Sequence, residues 1–225
     1  MEQLCLKSFL AQGHEFHLYV YQNTTGVPEG VTIRDANEIL PSSNIFVYTH
    51  QASYSGFSNF FRYKLLLERG GYWVDTDMVC LRPFDFTQDY VFSSEFHNKK
   101  PVPNTGVIKA PQGSPVMQYA WDICRQKDPA QLSWGETGPS LMRSAIETHG
   151  LLSSVTSPET LCPIAFADWE TVLMDGVDWR FNDTTRAIHL WNEMWRRGGK
   201  LKDAAYAPGC LYEQLKSRYE VRSCL

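Results

Sequence analysis

The stretch that most constrains this chain is residues 70–77, which read Gly-Gly-Tyr-Trp-Val-Asp-Thr-Asp. A helical pattern ends at the two glycines, and a short apolar and aromatic strand follows at once. That strand stops on two carboxylates, Asp75 and Asp77, and apolar residues continue beyond them to Leu81. Because side chains two positions apart on extended backbone point to the same side, we expect both acids to converge on one point.

Two neighbouring acids inside apolar sequence are typical of a metal site. Like charges held close together are unfavourable unless a cation neutralises them. Hard divalent ions such as Mg²⁺ and Mn²⁺ bind carboxylate oxygens and often share their coordination with substrate phosphates. We therefore predict that Asp75 and Asp77 bind a divalent ion and take part in catalysis.

Residues 56–69 show the strongest helical pattern, with phenylalanine and leucine repeating at spacings of three and four along one face. Asn59 and Arg62 are three positions apart and lie on a neighbouring face. An arginine on a helix is commonly solvated or extends along the surface. The alternative is that Arg62 points into the same cleft as the two acids, where a guanidinium can bind a diphosphate.

A further candidate ligand lies far along the chain, in residues 187–191, which are typical of a short buried strand. His189 is the middle residue of that strand. Taken alone, such a histidine is more often an ordinary core or surface residue than a ligand. Beside a carboxylate pair it becomes a candidate third ligand, because neutral imidazole also coordinates Mn²⁺.

The remaining patterns place the chain in the α/β class, because helical and strand patterns follow one another. Two further acids, Glu95 and Glu136, are possible contacts for a substrate, although most acids in such positions are plain surface groups. The sequence pattern does not reveal the order of the short strands and turns in residues 151–180. The other predicted elements are helices over 2–12, 35–40, 114–127 and 139–149, strands over 17–21, 90–94 and 107–108, and a turn over 103–106.

Composition excludes several classes of protein. With 225 residues, of which 43% are hydrophobic, the chain can bury one sizeable core, so disorder is excluded. A net charge of −4 argues against a nucleic-acid-binding surface. The six cysteines are scattered without a C-x-x-C pair, which disfavours a zinc ribbon and indicates free thiols in the cytoplasm. No apolar run reaches membrane-spanning length, so membrane contact would be peripheral, at the inner face.

A family likeness is carried by residues 57–84, FSNFFRYKLLLERGGYWVDTDMVCLRPF. This stretch resembles the sugar-nucleotide region of DXD-containing glycosyltransferases of family 32 (GT32), the Och1-like group. That group is similar to the α-1,4-glycosyltransferases and, more distantly, to the clostridial glucosylating toxins. The pattern is specific because it combines several features: a polar residue three positions before arginine, an apolar helix, Gly-Gly, an aromatic residue and Asp-x-Asp. A bare Asp-x-Asp would indicate almost nothing. Weaker counterparts are KSFLAQGHEFHLYVY near the N-terminus, Asn104-Thr105-Gly106, Gly138-Pro139, and His189 with Trp195.

The resemblance implies a GT-A fold, in which a mixed, mainly parallel central sheet lies between helices in a single domain over residues 1–225. Residues 1–110 would form the donor-binding half and 111–225 the acceptor side. Family members usually begin with a strand that carries Trp-x-Gly and helps to seat the base, and no such stretch precedes Met1. The resemblance therefore implies either that this first nucleotide-binding strand is missing at the N-terminus or that the base is held differently. The resemblance also implies Mn²⁺- or Mg²⁺-dependent, retaining transfer of a sugar from a nucleoside-diphosphate sugar to a saccharide or lipid-linked acceptor.

The resemblance also assigns roles to individual residues by motif position. Asp77 would bind the metal directly, and Asp75 would hold the donor sugar or ribose. Arg62 would contact the donor phosphate or sugar. Asn59 replaces the family's usual aspartate, so it can hydrogen-bond a hydroxyl without adding charge. The remaining implied roles are packing beside the nucleotide for Trp73, contact with the donor sugar and acceptor for Asn104, and metal or diphosphate binding for His189.

The chemistry of sugar transfer suits these residue types. Breaking the bond at the anomeric carbon places negative charge on the diphosphate, which a metal ion and Arg62 would stabilise. The sugar becomes oxocarbenium-like, as in glycoside hydrolysis. The sequence offers no second acid pair as a nucleophile. We therefore expect front-face substitution, in which the leaving phosphate helps to take the proton of the acceptor.

Two other functions remain open. The residues from Asp75 to Val79 also match the phosphatase motif of the haloacid dehalogenases, in which the first aspartate attacks phosphate and the second is acid and base. That motif normally ends the first strand of its domain, yet more than 70 residues precede it here, and a late Gly-Asp-x-x-x-Asp is missing. The third possibility is a degenerate domain that binds a saccharide or a partner without turnover. Asn59 allows it, but retention of both acids and Arg62 argues against it.

Overall fold

The structure is a computed structural model and describes residues 1–48 and 52–221. Its helices are α1 (Glu2–Ala11), α2 (Ser55–Arg69), α3 (Pro115–Cys124), α4 (Leu141–Thr148), α5 (Pro158–Leu161), α6 (Asn192–Arg197) and α7 (Leu211–Arg218). Its strands are β1 (Phe16–Val20), β2 (Val31–Asp35), β3 (Gly71–Val74), β4 (Met78–Cys80), β5 (Val91–His97), β6 (Lys100–Ala110) and β7 (Ala187–His189). Short 3₁₀ segments cover Ala36–Glu38, Ser42–Asn44, Pro129–Gln131, Leu152–Ser154 and Phe166–Leu173, and a π-helical turn covers Glu136–Ser140.

Helix α1 packs directly against strand β4. The apolar face expected from the sequence is buried, including Leu4, Cys5 and Phe9. The Ser8 hydroxyl joins the two elements, because it accepts a hydrogen bond from the backbone N–H of Cys80 at 2.8 Å and donates to the Cys5 carbonyl at 2.6 Å. A buried hydroxyl with both functions satisfied fixes the helix on the strand. Helix α1 therefore supports the strand that follows the acid pair.

The strands form three small sheets. Strands β1 and β2 pair in parallel, β6 pairs antiparallel with β3 on one side and β5 on the other, and β4 pairs antiparallel with β7. The α/β class is confirmed. The mainly parallel central sheet is not confirmed, since three of the four strand pairings in residues 1–48 and 52–221 are antiparallel.

A tight hairpin explains much of the antiparallel character. Strands β5 and β6 are joined by Asn98 and Lys99, which have φ values of 49° and 61°. Two consecutive left-handed residues form the turn that matches the twist of paired antiparallel strands. The predicted turn over 103–106 is wrong, because those residues continue β6. Prolines are tolerated in the first half of β6, because β3 pairs only with residues 107–110 and needs no N–H from Pro101 or Pro103.

Helix α2 was predicted within one residue of its observed start, and it positions the acid pair. Its aromatic face is buried, including Phe57, Phe60 and Phe61. The helix ends at Gly70, whose φ of 67° and ψ of −163° belong to a region that is essentially restricted to glycine. A Cβ there would lie 2.5 Å from the backbone nitrogen of Gln112. The chain therefore passes from α2 into β3 without a loop, and β3 ends at the acids.

Three buried apolar clusters surround the passage from β3 to β4. The first lies between α2, α3 and α4, the second around β7 and α7, and the third between α1, β4 and the start of β1. Because β3 and β4 belong to different sheets, residues 75–77 are the point where the chain crosses from one sheet to the next. The acid pair therefore lies among packed elements that hold it in place.

The described cysteines are free thiols, as predicted. They are all buried, and Cys224 lies outside the described residues. The reducing compartment inferred from them stays a prediction. Within the described ranges, no helix has both the length and the apolar character needed to cross a bilayer. The buried free cysteines are Cys5, Cys80, Cys124, Cys162 and Cys210.

Candidate active site

Asp75 and Asp77 lie in a tight turn between β3 and β4 rather than on extended backbone. The Met78 N–H donates to the Asp75 carbonyl at 3.0 Å and closes the turn. The Asp75 N–H donates to the carbonyl of Gly106 at 2.9 Å, which anchors the turn to β6. The two side chains converge, as predicted. The cause is the turn, however, and not the alternation of side chains along a strand.

Arg62 is buried and orients the carboxylate of Asp75. Its side chain is 5% exposed, and its Nη2 lies 3.0 Å from Asp75 Oδ1. The same guanidinium donates to the Thr105 carbonyl and, at 3.1 Å, to the Ser58 hydroxyl. The indole N–H of Trp73 donates to the same Asp75 oxygen at 2.7 Å, and the Trp73 ring lies 4.9 Å from the Arg62 guanidinium carbon. The interpretation of Arg62 as a solvated arginine is therefore wrong. Its contact with a diphosphate stays a prediction.

Asp77 is held from the C-terminal part of the chain. Its Oδ2 lies 3.2 Å from His189 Nε2 and accepts a hydrogen bond from the backbone N–H of Asn192 at 2.8 Å. The Asp77 carbonyl accepts from the Leu190 N–H at 2.9 Å. Strand β7 pairs with β4 so that His189 lies opposite Met78. This antiparallel register brings a histidine 112 positions away in sequence to the acid pair.

The two acids and the histidine fit a divalent metal ion. Each offers one ligand atom, and the three atoms lie within 4.8 Å of one another. Adjacent ligands of a six-coordinate ion with bonds of about 2.1 Å lie roughly 3 Å apart. The Asp77–His189 contact of 3.2 Å has that spacing. The two carboxylates suit Mn²⁺ or Mg²⁺, and an imidazole as third ligand favours Mn²⁺ of the two. The identity of the ion stays a prediction.

Burial and neighbouring charges shift the pKa values of these groups in different directions. Burial raises the pKa of Asp75, although Arg62 opposes the shift. Burial alone would also raise the pKa of Asp77, but the charge and hydrogen bond of His189 outweigh it, so that pKa is lowered. The pKa of His189 is raised well above its ordinary value, because Asp77 outweighs the opposing effect of burial. Without an ion, the arrangement favours an ionised Asp77 beside a protonated His189.

Asn104 is buried within β6 and its side chain has internal partners. Its oxygen accepts hydrogen bonds from the Ser93 hydroxyl and, at 3.2 Å, from the Gly106 N–H. Its nitrogen donates to Glu95 Oε2 at 3.2 Å and to the sulfur of Cys162 at 3.3 Å. These bonds fix the amide beside the segment that anchors the acid turn. A contact between Asn104 and a donor sugar stays a prediction.

The two acids considered as acceptor contacts have different environments. Glu95 is partly buried, and burial raises its pKa against the effect of the hydrogen bond from Asn104. The expectation that Glu95 is a plain surface acid is therefore wrong. Glu136 forms an ion pair with Lys127 at 2.8 Å in a part-exposed position, as expected of a surface acid. Of the two, only Glu95 is bonded to a residue of the predicted site.

Asn59 lies on α2, one turn before Arg62, and is buried. It faces the π-helical turn, because a Cβ at Gly138 would lie 3.1 Å from its Nδ2. One turn further along α2, the Tyr63 hydroxyl donates to the Thr137 carbonyl at 2.8 Å. The turn containing the Gly138-Pro139 pair is therefore packed on α2 beside Asn59. A hydrogen bond from Asn59 to a ribose or sugar hydroxyl stays a prediction.

Several residues that hold the site escaped sequence analysis. Thr105 and Asn192 act through backbone groups, which have no side-chain signature. Ser58 was hidden beside Asn59 in the same motif. Trp191 lies at the end of the predicted strand over 187–191 and was given no role, although the centroids of its ring and that of His189 lie 3.8 Å apart.

Residues 2–95 match the family model described as "Glycosyltransferase sugar-binding region containing DXD motif". The matched part contains α2 and both acids but ends before His189. This match supports a DXD-type glycosyltransferase. It does not single out family 32, the Och1-like group. No curated protein matches the chain.

Among solved structures, the chain is similar to one titled "PaToxG Glycosyltransferase". The sequences are 14% identical, and the TM-score is 0.47. The superposition covers 68% of this chain and 66% of that chain. The matched part thus spans slightly less than two thirds of that chain's length.

Proposed function

We propose that this chain is a divalent-metal-dependent glycosyltransferase that moves a sugar from a nucleoside-diphosphate sugar to a hydroxyl of a saccharide or lipid-linked acceptor. The observation that carries the proposal is the convergence of Asp75, Asp77 and His189, whose ligand atoms lie within 4.8 Å of one another. The family match over residues 2–95 supports the same reaction class. Retention of configuration, the nature of the acceptor and a cytoplasmic, peripheral location belong to the proposal.

The charges of the site suit a metal-bound diphosphate. With His189 protonated, two carboxylates face two cations, His189 and Arg62, so the site is close to neutral. His189 would have to lose its second ring proton to serve as a ligand, because a metal ion is bound by neutral imidazole. The ion would be held by Asp75, Asp77 and His189, and it would supply positive charge for the diphosphate leaving group. The loaded site would then carry a net positive charge, which attracts an anionic donor.

The residues around the acids keep the ligand atoms in place. Arg62 and Trp73 donate to the same oxygen of Asp75, which fixes the rotation of that carboxylate. Asn192 donates to Asp77 through its backbone N–H. Preorganised groups of this kind avoid reorganisation during the reaction, which is how polar sites stabilise developing charge.

We assign the bond changes as follows. The bond between the anomeric carbon and the diphosphate oxygen breaks, and that carbon forms a bond to the acceptor oxygen. The acceptor proton passes to the departing diphosphate. Because Asp75 and Asp77 are assigned as metal ligands, neither is assigned as a nucleophile. This arrangement favours front-face substitution with retention of configuration.

The haloacid dehalogenase alternative is disfavoured by the place of Asp75 in the fold. That motif normally ends the first strand of its domain, whereas β1 and β2 precede β3 here. A binding domain without turnover differs from the proposed enzyme only in the outcome of an assay.

The test is release of nucleoside diphosphate from a panel of nucleotide sugars, measured with Mn²⁺, with Mg²⁺ and with EDTA. We expect turnover of at least one donor that EDTA abolishes and that Asp77→Asn reduces to background. The matched control is Asp122→Asn, which removes an exposed acid paired with Arg125 on α3. Activity that survives both EDTA and Asp77→Asn would refute the proposal, and donor binding without product would favour the binding domain. The anomeric configuration of the product, read by NMR, tests retention.

A further inference from the structure

Trp191 has a backbone conformation that is unusual for a bulky residue. Its φ of 58° and ψ of 53° lie in the left-handed region. Side chains larger than asparagine and aspartate rarely adopt this region, because Cβ approaches the following carbonyl oxygen. Such conformations persist only where the surroundings fix them, and they concentrate at functional sites.

The left-handed residue determines where the chain goes after His189. The sequence predicts a strand through residue 191, but β7 ends at His189 and α6 begins at Asn192. The reversal directs the backbone N–H of Asn192 at Asp77 Oδ2, which it reaches at 2.8 Å. A continued strand would point that N–H elsewhere, because extended backbone does not turn back on itself.

The side chain of Trp191 fixes the imidazole at the same time. The two ring centroids lie 3.8 Å apart with an interplanar angle of 30°. The indole N–H donates to the Ile164 carbonyl at 2.9 Å, which anchors the ring to a segment outside β7 and α6. The indole therefore restricts the rotation of His189, whose Nε2 faces Asp77 at 3.2 Å.

We propose that Trp191 is the positioning residue of the metal site. Its left-handed backbone places the Asn192 N–H on Asp77, and its anchored ring keeps His189 Nε2 directed at the ion. This inference rests on the proposed function, because it assumes that Asp77 and His189 are ligands. Groups behind a ligand that set its orientation typically change metal affinity by about 10- to 100-fold when they are removed.

The test compares variants of Trp191 in a Mn²⁺ titration, in which EPR measures the free ion without any turnover. Trp191→Phe keeps a ring over the imidazole but loses the indole N–H. Trp191→Gly accepts the left-handed backbone without strain but removes the ring and allows the chain to leave that conformation. Trp179→Gly is the matched control, because Trp179 is also partly buried and stacks on Phe181, with ring centroids 5.9 Å apart.

We expect Trp191→Gly to weaken Mn²⁺ binding by about 10- to 100-fold. Trp191→Phe should weaken it less, because a ring still covers the imidazole although its anchor to Ile164 is lost, and Trp179→Gly should bind as the unaltered chain does. If Trp191→Gly does not fold, Trp191→Asn takes its place, since asparagine tolerates the left-handed region. Binding by Trp191→Gly or Trp191→Asn at wild-type affinity would overturn the inference. So would equal losses in Trp191→Phe and Trp191→Gly, because neither the ring over the imidazole nor the left-handed backbone would then contribute to binding.

The same titration separates this inference from the proposed function. Asp77→Ala is measured beside the Trp191 variants. An unaltered chain that does not bind Mn²⁺, or an Asp77→Ala variant that binds it equally well, would defeat the proposed metal site itself. Mn²⁺ binding that depends on Asp77 but not on Trp191 would leave the proposed function intact and refute only the role of Trp191.

Discussion

Replacing Arg62 with methionine should destabilise the metal-free protein strongly. The substitution keeps the length of the side chain but removes the cation that faces Asp75. The two side chains are 5% and 25% exposed, so the pair is largely out of water. Removing one partner of a buried pair costs about 3–5 kcal/mol, because the other charge is left uncompensated. The exposed quarter of Asp75 is screened by solvent, which reduces the expected loss to about 2–3 kcal/mol.

That free energy is large enough to measure by thermal unfolding. For a protein of this size, each kcal/mol lowers Tm by about 2–4 °C. Arg62→Met should therefore lower Tm by about 4–12 °C in EDTA at pH 7. Arg143→Met is the matched control, because it removes an exposed arginine paired with Glu147 within α4. Its expected cost is about 0.3–0.5 kcal/mol.

A double-mutant cycle with Asp75→Asn tests the cause of the loss. If the uncompensated Asp75 charge is responsible, Arg62→Met should cost less in the Asp75→Asn background, by a coupling energy of about 1–3 kcal/mol. Mn²⁺ should also reduce the loss, because a bound ion neutralises Asp75. The same Tm decrease in both backgrounds, or a decrease no larger than that of Arg143→Met, would refute the electrostatic explanation.

Three further predictions follow from the same contacts. The pKa of His189 is raised in the folded protein, so its pairing with Asp77 stabilises the metal-free fold. This stabilisation is fully present below about pH 6.5, the pKa of histidine in the unfolded chain, and is lost as pH rises through the pKa of His189 in the folded protein. In urea unfolding between pH 6 and 9, His189→Gln should remove this decrease in the free energy of unfolding. An unchanged dependence on pH in the variant would contradict the prediction. Gly70→Ala should lower the free energy of unfolding by more than backbone strain alone, which is about 1–3 kcal/mol. The reason is that the added Cβ would clash with the backbone of Gln112. Gly71→Ala, with open space around the Cβ, should cost strain alone, and equal urea midpoints would contradict this difference. Asn104→Asp places an acid beside Glu95, so Tm should fall at pH 7 and recover near pH 5, where protonation relieves the repulsion.

Local pattern was sufficient for the elements whose burial follows sequence spacing. Helix α2 was predictable because its aromatic residues repeat with the period of a helix, and Ser114 caps α3 through the N–H of Met117 as its position suggests. The acid pair and Arg62 were recognisable because charged side chains beside an apolar strand are unusual. These features depend on neighbours within a few residues.

Pairing between distant strands was not predictable in the same way. The hairpin turn is formed by Asn98 and Lys99 without glycine, so the usual signal of a left-handed turn is missing. The tight turn at Asp75 is closed by backbone hydrogen bonds, which the sequence does not encode locally. Trp191 adopts its conformation because the surrounding packing imposes it against the preference of the residue. In each case tertiary contacts outweigh local propensity.

The register of β4 with β7 has a consequence for how the protein is made. Synthesis delivers both aspartates at least 112 residues before the histidine that faces Asp77. A nascent chain that has emerged only through β6 already contains the carboxylates and Arg62, yet it lacks the imidazole needed to complete the set. If the proposed metal site is right, capture of the ion would therefore come late in biogenesis, and a premature stop codon before β7 would abolish it.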